Sequence, residues 1–393
     1  MERVNVPVAQ SAEACQLPLA GCRVIEHSST VAAAYAGRLL AAMGAMVVML
    51  EPVEGSQLRR APPLLDEHGT SALFAFLALD KRSRVCDLGS PAGQDVLKRE
   101  LQSAHILIDD TPVRQRALRG LDPDSITKRF PSLVYVSVLP FGASGPKADW
   151  DAEEVNLIHA GGEGFLLPNG LSNELFPDRP PLKIYGHFSG YQGGAMAALA
   201  ALSAWWVVPY TGGQYVDVSV QDAVLSVDAF ALQRLGDGSL EHRTTRRFRY
   251  GGVFEAQGGY VELLMLEDRQ WHGLVELLGH PVWTQDKALG DPLERSRQGA
   301  EINRKIREWV RQHDADQIVQ RAQELGVPAA KYRTPVEVIH GAHERSRGLF
   351  VPLLLDNGSQ ARVLTAPFQF RATPLRFGAR VPALGEMSEE SVP

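Results

Sequence analysis

Residues 21–52 read GCRVIEHSSTVAAAYAGRLLAAMGAMVVMLEP, and this stretch decides the fold. CRVIEH predicts a short apolar strand, and Ser28, Ser29 and Thr30 offer N-caps for the helix that follows. VAAAYAGRLLAAMGA carries strong helix formers to a glycine stop at Gly44, and MVVMLEP is a second strand ending at Glu51. A strand–helix–strand unit with an acid closing its second strand has the outline of a dinucleotide-binding fold. Its first turn reads EHSSTVAA, without the G-x-G-x-x-G that lets a backbone close on a pyrophosphate. The open sheet stands; NAD binding does not follow from it.

Working outward, the alternation continues. SRVCDL (Ser83–Leu88) is a strand, Ala92–Ser103 a helix and HILIDD (His105–Asp110) a strand. Arg114–Arg129 is helical in pattern, and SLVYVSVLPFG (Ser132–Gly142) is a strong strand. Strands separated by helices of this size imply parallel pairing with right-handed crossovers. GASGPKADWDAEEV (Gly142–Val155) is a loop feeding a helix, and Gly161–Pro181, rich in Gly, Pro and Asn, reads as a long ordered loop. Gln192–Trp206 is an Ala-rich helix whose small-residue face allows close packing, and QYVDVSV (Gln214–Val220) is another strand. After Leu235 the style changes. GGVFEAQGGYVELLM (Gly251–Met265) is a hairpin with a Gly-Gly turn. Helical stretches follow to about Leu325, and strands return from Val327. No repeat of 20–50 residues is visible. The expectation is an α/β protein. Its large domain, 1–225 plus 329–393, holds an open parallel sheet, and a smaller α+β domain, 226–328, is inserted between the two pieces.

Composition narrows the function. The chain of 393 residues carries a net charge of −6 and a pI near 6.0, which argues against binding nucleic acid. The cluster Arg243, Arg246, Arg247 and Arg249 reads as a solvated loop. The first 20 residues lack the apolar core of a secretory signal, and no uninterrupted apolar run reaches about 18 residues. The nearest, Gly193–Pro209, reads as a buried helix, so no membrane span and a cytoplasmic location are expected. Cys15, Cys22 and Cys86 form no C-x-x-C pair and suggest inert thiols in a reducing compartment. His340 and His343 stand three apart without a third ligand nearby, so no metal is expected. Glu26, His27 and His187 form a triad only on paper, and Trp205 and Trp206 read as core or interface.

Several segments, in order from residue 21 to about 386, resemble the class III CoA-transferases, the CaiB/BaiF or formyl-CoA transferase family. The N-terminal unit and the loop with Gly55, Arg59 and Arg60 are similar to the family's opening. DKRSRVCDL is similar to its lysine-bearing strand entry, FPSLVYVSVLPFGASGP to the strand and Gly-rich turn, and TGGQYVDVSVQDAVL to the helix-to-strand exit. YGGVFEAQGGYVEL, GVPAAKYRTPVEVIHGAHERSRGLFV and LTAPFQFRATPL complete the set. The resemblance implies two interlocked chains, acyl-CoA bound as substrate between domains, and no metal or prosthetic group. It also implies an aspartate that attacks the thioester, with backbone N–H donors for the oxyanion. Arg38, Lys81, Arg82 and Arg114 are the implied contacts to CoA phosphates, with Arg116 beside them where the family's N-F-R-P-G turn reads D-D-T-P-V. Gly251 and Gly252 are the implied mobile loop over the thioester.

The aspartate itself is missing. The family pattern P-x-x-D-L-A-A-G is replaced by PPLKIYGHFSGYQGGAMAALAAL, which puts Gly190 in the slot, or His187 in a looser register. No Asp or Glu occurs between Arg179 and Val216. Three readings follow: one subunit of a heteromeric CoA-transferase whose Asp-bearing paralogue supplies the nucleophile, resembling benzylsuccinate CoA-transferase; an acyl-CoA racemase using His187 or His159; or a non-catalytic CoA-binding scaffold. The first implies a succinyl-CoA-like donor, an aryl-substituted succinate as acceptor, and aromatic compound catabolism.

Overall fold

The strands of the main sheet are runs of four to six residues, too short for helices, apolar and buried on both faces at the middle of the sheet and more polar at its outer strands. In a computed structural model of the chain, which describes residues 17–65, 69–167, 178–238, 250–354, 360–375, 377–378 and 380–387, these are β1 (Arg23–His27), β2 (Met46–Glu51), β3 (Arg82–Val85), β4 (Ile106–Asp109), β5 (Val134–Leu139) and β6 (Tyr215–Ser219). They form one parallel sheet of six strands in the order β3-β2-β1-β4-β5-β6. Ile25 lies opposite both Val48 and Leu107, and every residue of β4 and β5 is buried. The order reverses between β1 and β4, and such a reversal opens a crevice at the carboxyl ends of the strands.

The connecting helices are α1 (Val31–Ala42), α2 (Ala72–Ala78), α3 (Pro91–Leu101), α4 (Val113–Arg116), α5 (Pro123–Arg129), α6 (Glu154–Ala160), α7 (Glu163–Leu166), α8 (Phe188–Thr211) and α9 (Val220–Gly236). Two differ from expectation. The stretch expected as one helix over 114–129 is broken into α4 and α5, because Gly120 turns left-handed (φ +70°) and Asp122 caps a new start. The Ala-rich helix is far longer than expected, 24 residues, starting four residues before Gln192 and running through Pro209. Among the described residues α8 alone is long and apolar enough to cross a bilayer by length and composition. Its small-residue face accounts for that apolarity: Ala197, Ala201 and Ala204 are buried in a core shared with α1, β4 and β5. Trp205 packs edge-on to His105 at 5.9 Å, whereas Trp206 is 77% exposed and lies outside the core.

The chain divides into two compact units, Met1–Glu163 with Ile184–Asp228 and Arg345–Pro393, and Gly164–Lys183 with Ala229–Glu344. The first holds the six-stranded sheet and a hairpin of β10 (Phe350–Leu354) and β11 (Gln360–Leu364), whose Leu353 and Val363 pack on Ala75 and Leu79 of α2. The second holds an antiparallel sheet of β7 (Gly252–Ala256), β8 (Gly259–Leu263) and β9 (Ala329–Lys331). Helices Asp268–Leu277, Gly299–Val310 and Ala315–Glu324 close its core around Phe254, Leu274 and Ile306. Because β9 pairs with β8, the second unit continues past residue 328 to Glu344.

Candidate active site

The site grows from two helix starts laid side by side. α1 and α8 approach so closely that a Cβ on Gly194 would stand 2.5 Å from the Ala32 carbonyl oxygen. One turn earlier, Gly190 faces α1 in the same way: a Cβ there would lie 3.1 Å from Cβ and Cγ1 of Val31. A side chain at Gly190 would press on that valine. A helix start leaves amides unpaired, and the N-cap side chain normally answers them. His187 occupies the N-cap of α8 and makes no such bond.

A carboxylate from elsewhere does it instead. Glu154, the first residue of α6, accepts from the Ser189 amide at Oε1 (2.8 Å) and from the Gly190 amide at Oε2 (3.2 Å). Its position is fixed by a capping box on α6, in which Glu153 and Asn156 exchange bonds with each other's backbone amides. Beside it the Ser189 hydroxyl is fully buried and finds no partner among the described residues. Searching only residues 179–216 for a carboxylate missed Glu154. The chain brings it in from 36 residues upstream, and no local pattern joins the two.

At the strand-order reversal, two consecutive aspartates are pulled opposite ways. Asp109 is buried, which opposes its ionisation, yet hydrogen bonds from His27 (3.1 Å), Thr111 (2.7 Å) and Tyr135 (2.8 Å) hold its carboxyl below the ordinary range. Burial and the charge of Asp109 push Asp110 upward; it accepts from the Ser29 and Thr30 amides and so braces the start of α1. His27 is thus tied to Asp109, away from the paper triad with Glu26 and His187. Glu26 pairs instead with Lys81 at 2.7 Å, both side chains fully buried.

That pair corrects the expectation for Lys81. Its ammonium also donates to the Ala34 carbonyl (2.7 Å), so it is committed to partners inside the protein rather than to a phosphate. Arg38 is 2% exposed, not an exposed helix arginine; its guanidinium lies over Phe76 and Phe377 and has no hydrogen-bond partner among the described residues. Arg82 is exposed on β3. Arg114 is engaged with the Asp151 carboxylate at 3.0 Å, and Arg116 is buried against Tyr215 and Ser137. Glu51, the acid that closes β2, is held by Arg59 (2.7 Å), the Ser56 amide (3.0 Å) and Ser83, which leaves it no role on a ribose. Tyr35, Phe76 and Tyr191 make an aromatic cluster next to the α8 start, Tyr35 and Tyr191 being 4.8 Å apart, and His187 meets Tyr191 edge-on at 6.5 Å. His159 is exposed on α6. In the second unit Gly251 and Gly252 take positive φ (+86° and +112°), and Asn303 accepts from the Gly251 amide at 2.8 Å. Cys22 and Cys86 are buried, their thiols pushed up to about 11 by burial. Cys15 and the arginines at 243, 246, 247 and 249 lie outside the described residues.

Fold and site together define an α/β protein with buried carboxylates gathered where the strand order reverses, and with no metal-ligating cluster among the described residues. The chain belongs to CoA-transferase family III, which it matches over residues 19–388. It is 28% identical to a succinate–glutarate CoA-transferase of Agrobacterium fabrum, across 94% of this chain and 93% of that one. It is 24% identical to the beta subunit of a succinyl-CoA–L-malate CoA-transferase of Chloroflexus aurantiacus (95% and 93% covered) and 25% identical to an alpha subunit of that name (95% and 88%). Among solved structures, a CaiB/BaiF family protein from Brucella suis superposes with a TM-score of 0.81 at 26% identity, covering 94% of this chain and 97% of that one.

Proposed function

We propose that this chain is one subunit of a cytoplasmic CoA-transferase that moves CoA from a succinyl-CoA-type donor to a carboxylic acid. What supports the reading is a family scaffold in which the sequence register puts Gly190, with Val31 packed close to it, at the nucleophile's place. An Asp-bearing paralogue, interlocked with this chain, then supplies the principal nucleophile. The succinyl donor draws support from relatives whose names include succinate or succinyl-CoA, and the paired assembly from relatives named as alpha and beta subunits. The aromatic cluster Tyr35–Phe76–Tyr191 beside the α8 start favours a bulky acceptor, for which an aryl-substituted succinate is the candidate. The Arg38 guanidinium, without a hydrogen-bond partner among the described residues, is the charge on α1 left for a CoA phosphate, and Arg82 and Arg114 are secondary contacts.

The test is co-expression with an Asp-bearing paralogue. Steady-state turnover should fall at least about a hundredfold when the partner's aspartate becomes alanine, in line with loss of covalent catalysis. Turnover of the isolated chain at the rate of the pair would overturn the subunit reading.

A further inference from the structure

Glu154 holds a carboxylate against the first turn of α8, beside Gly190. We propose that Glu154 is a second nucleophilic carboxylate, serving the half-site built on this chain. The inference rests on the CoA-transferase reading and adds to the partner's aspartate without replacing it.

Three observations meet at one point. Both carboxylate oxygens of Glu154 lie at the first turn of α8, on the amides of Ser189 and Gly190, which is where the sequence places the family's nucleophile. Gly190 has no side chain to obstruct the approach, and a Cβ there would press on Val31 at 3.1 Å. Glu154 is itself only half-buried, so a thioester can reach it, whereas Asp109 and Asp110 are buried and committed to other partners.

The donors also suit the step. One Glu154 oxygen attacks the thioester carbonyl carbon; a C–O bond forms, the C–S bond breaks, and CoA departs as thiolate, leaving a mixed anhydride on Glu154. No proton and no electron is required from outside. As the carboxylate gives up its charge, the Ser189 and Gly190 amides become free to donate to the developing oxyanion, and the buried Ser189 hydroxyl is a third donor within the same turn. The returning thiolate then attacks the glutamyl carbonyl, expelling the donor acid and leaving CoA as a thioester on Glu154.

The full-length chain, alone and paired with its Asp→Ala partner, is mixed with succinyl-CoA and quenched with hydroxylamine. Hydroxylamine converts either acylated state of the carboxyl into a hydroxamate. Peptide mass spectrometry should place that hydroxamate on Glu154 in both samples and lose it in Glu154→Gln, whose amide oxygen keeps an acceptor at the helix start. Glu154→Asp, a carboxylate drawn back by one methylene, should label at least about tenfold more slowly while melting with the native chain. A Glu154 peptide without hydroxamate, or labelling elsewhere that survives Glu154→Gln, would overturn the proposal. If Glu154 stays unlabelled while the native pair turns over, this inference alone falls; if neither sample nor the native pair releases CoA from any acyl-CoA, the CoA-transferase reading falls as well.

Discussion

The Arg38 guanidinium is held inside the molecule, over two phenylalanine rings and without a hydrogen-bond partner among the described residues. A lone arginine on a helix reads as solvent-exposed, yet α1 is buried on most of its circumference and takes Arg38 inside with it. Burial lowers its affinity for a proton, and the nearby Asp80 charge only partly offsets that. Replacing an unpaired buried charge by an apolar side chain of similar length should help the free protein. Arg38→Met is therefore expected to hold or raise the melting temperature, by up to about 1–2 kcal/mol of stability, and to weaken CoA binding about tenfold. Calorimetry with and without CoA reads both; a lowered melting temperature with unchanged CoA affinity would make Arg38 a structural residue. Lys81 was read from the strand-entry pattern as a phosphate contact, but its pairing depends on Glu26, 55 residues away. Glu154 was hidden for the same reason, since a carboxylate's partner across space leaves no mark in its own neighbourhood.

Elements were far more legible than sites. Apolar runs buried on both faces locate β4 and β5 within three residues at either end, and Thr30, one of three N-caps on offer, caps α1. What failed was length. Gly190, Gly193 and Gly194 depress helix propensity and mask the true start of α8, which tertiary packing on α1 overrides. The close approach gives an element-scale prediction. Gly194→Ala puts a methyl 2.5 Å from the Ala32 carbonyl and 2.9 Å from Tyr35 Cβ, and should destabilise by about 1–3 kcal/mol. Gly236→Ala, at the end of α9 with nothing within 4 Å, should stabilise by about 0.4–1 kcal/mol. Urea midpoints measure the pair; equal shifts in one direction would contradict the packing argument.

At the scale of the molecule, hairpin and helix patterns interrupt the strand–helix alternation of the sequence after Leu235. The link between residues 377–387 and the sheet leaves no such mark, because that segment has neither a helical nor a strand periodicity. Those residues pin the outer strand: the Met387 amide donates to the Ser83 carbonyl (3.0 Å), the Gly385 amide to the Ser83 hydroxyl (3.0 Å), Arg59 to the Pro382 carbonyl (3.2 Å), and the Gly378 amide to Asp80. A chain ending at residue 376 should keep its helical circular dichroism but aggregate, since β3 loses the segment that answers its open edge. Light scattering during refolding checks this, and a monodisperse truncated chain would contradict it. The same arrangement has a consequence on the ribosome. Ser83 and Gly385 are 302 residues apart, so at ~5–20 residues per second the nascent β3 edge stays uncovered for roughly 15–60 s. During that interval it is a docking strand for any neighbouring chain, and synthesis of this protein should lean on a chaperone that shields it until the last segment emerges.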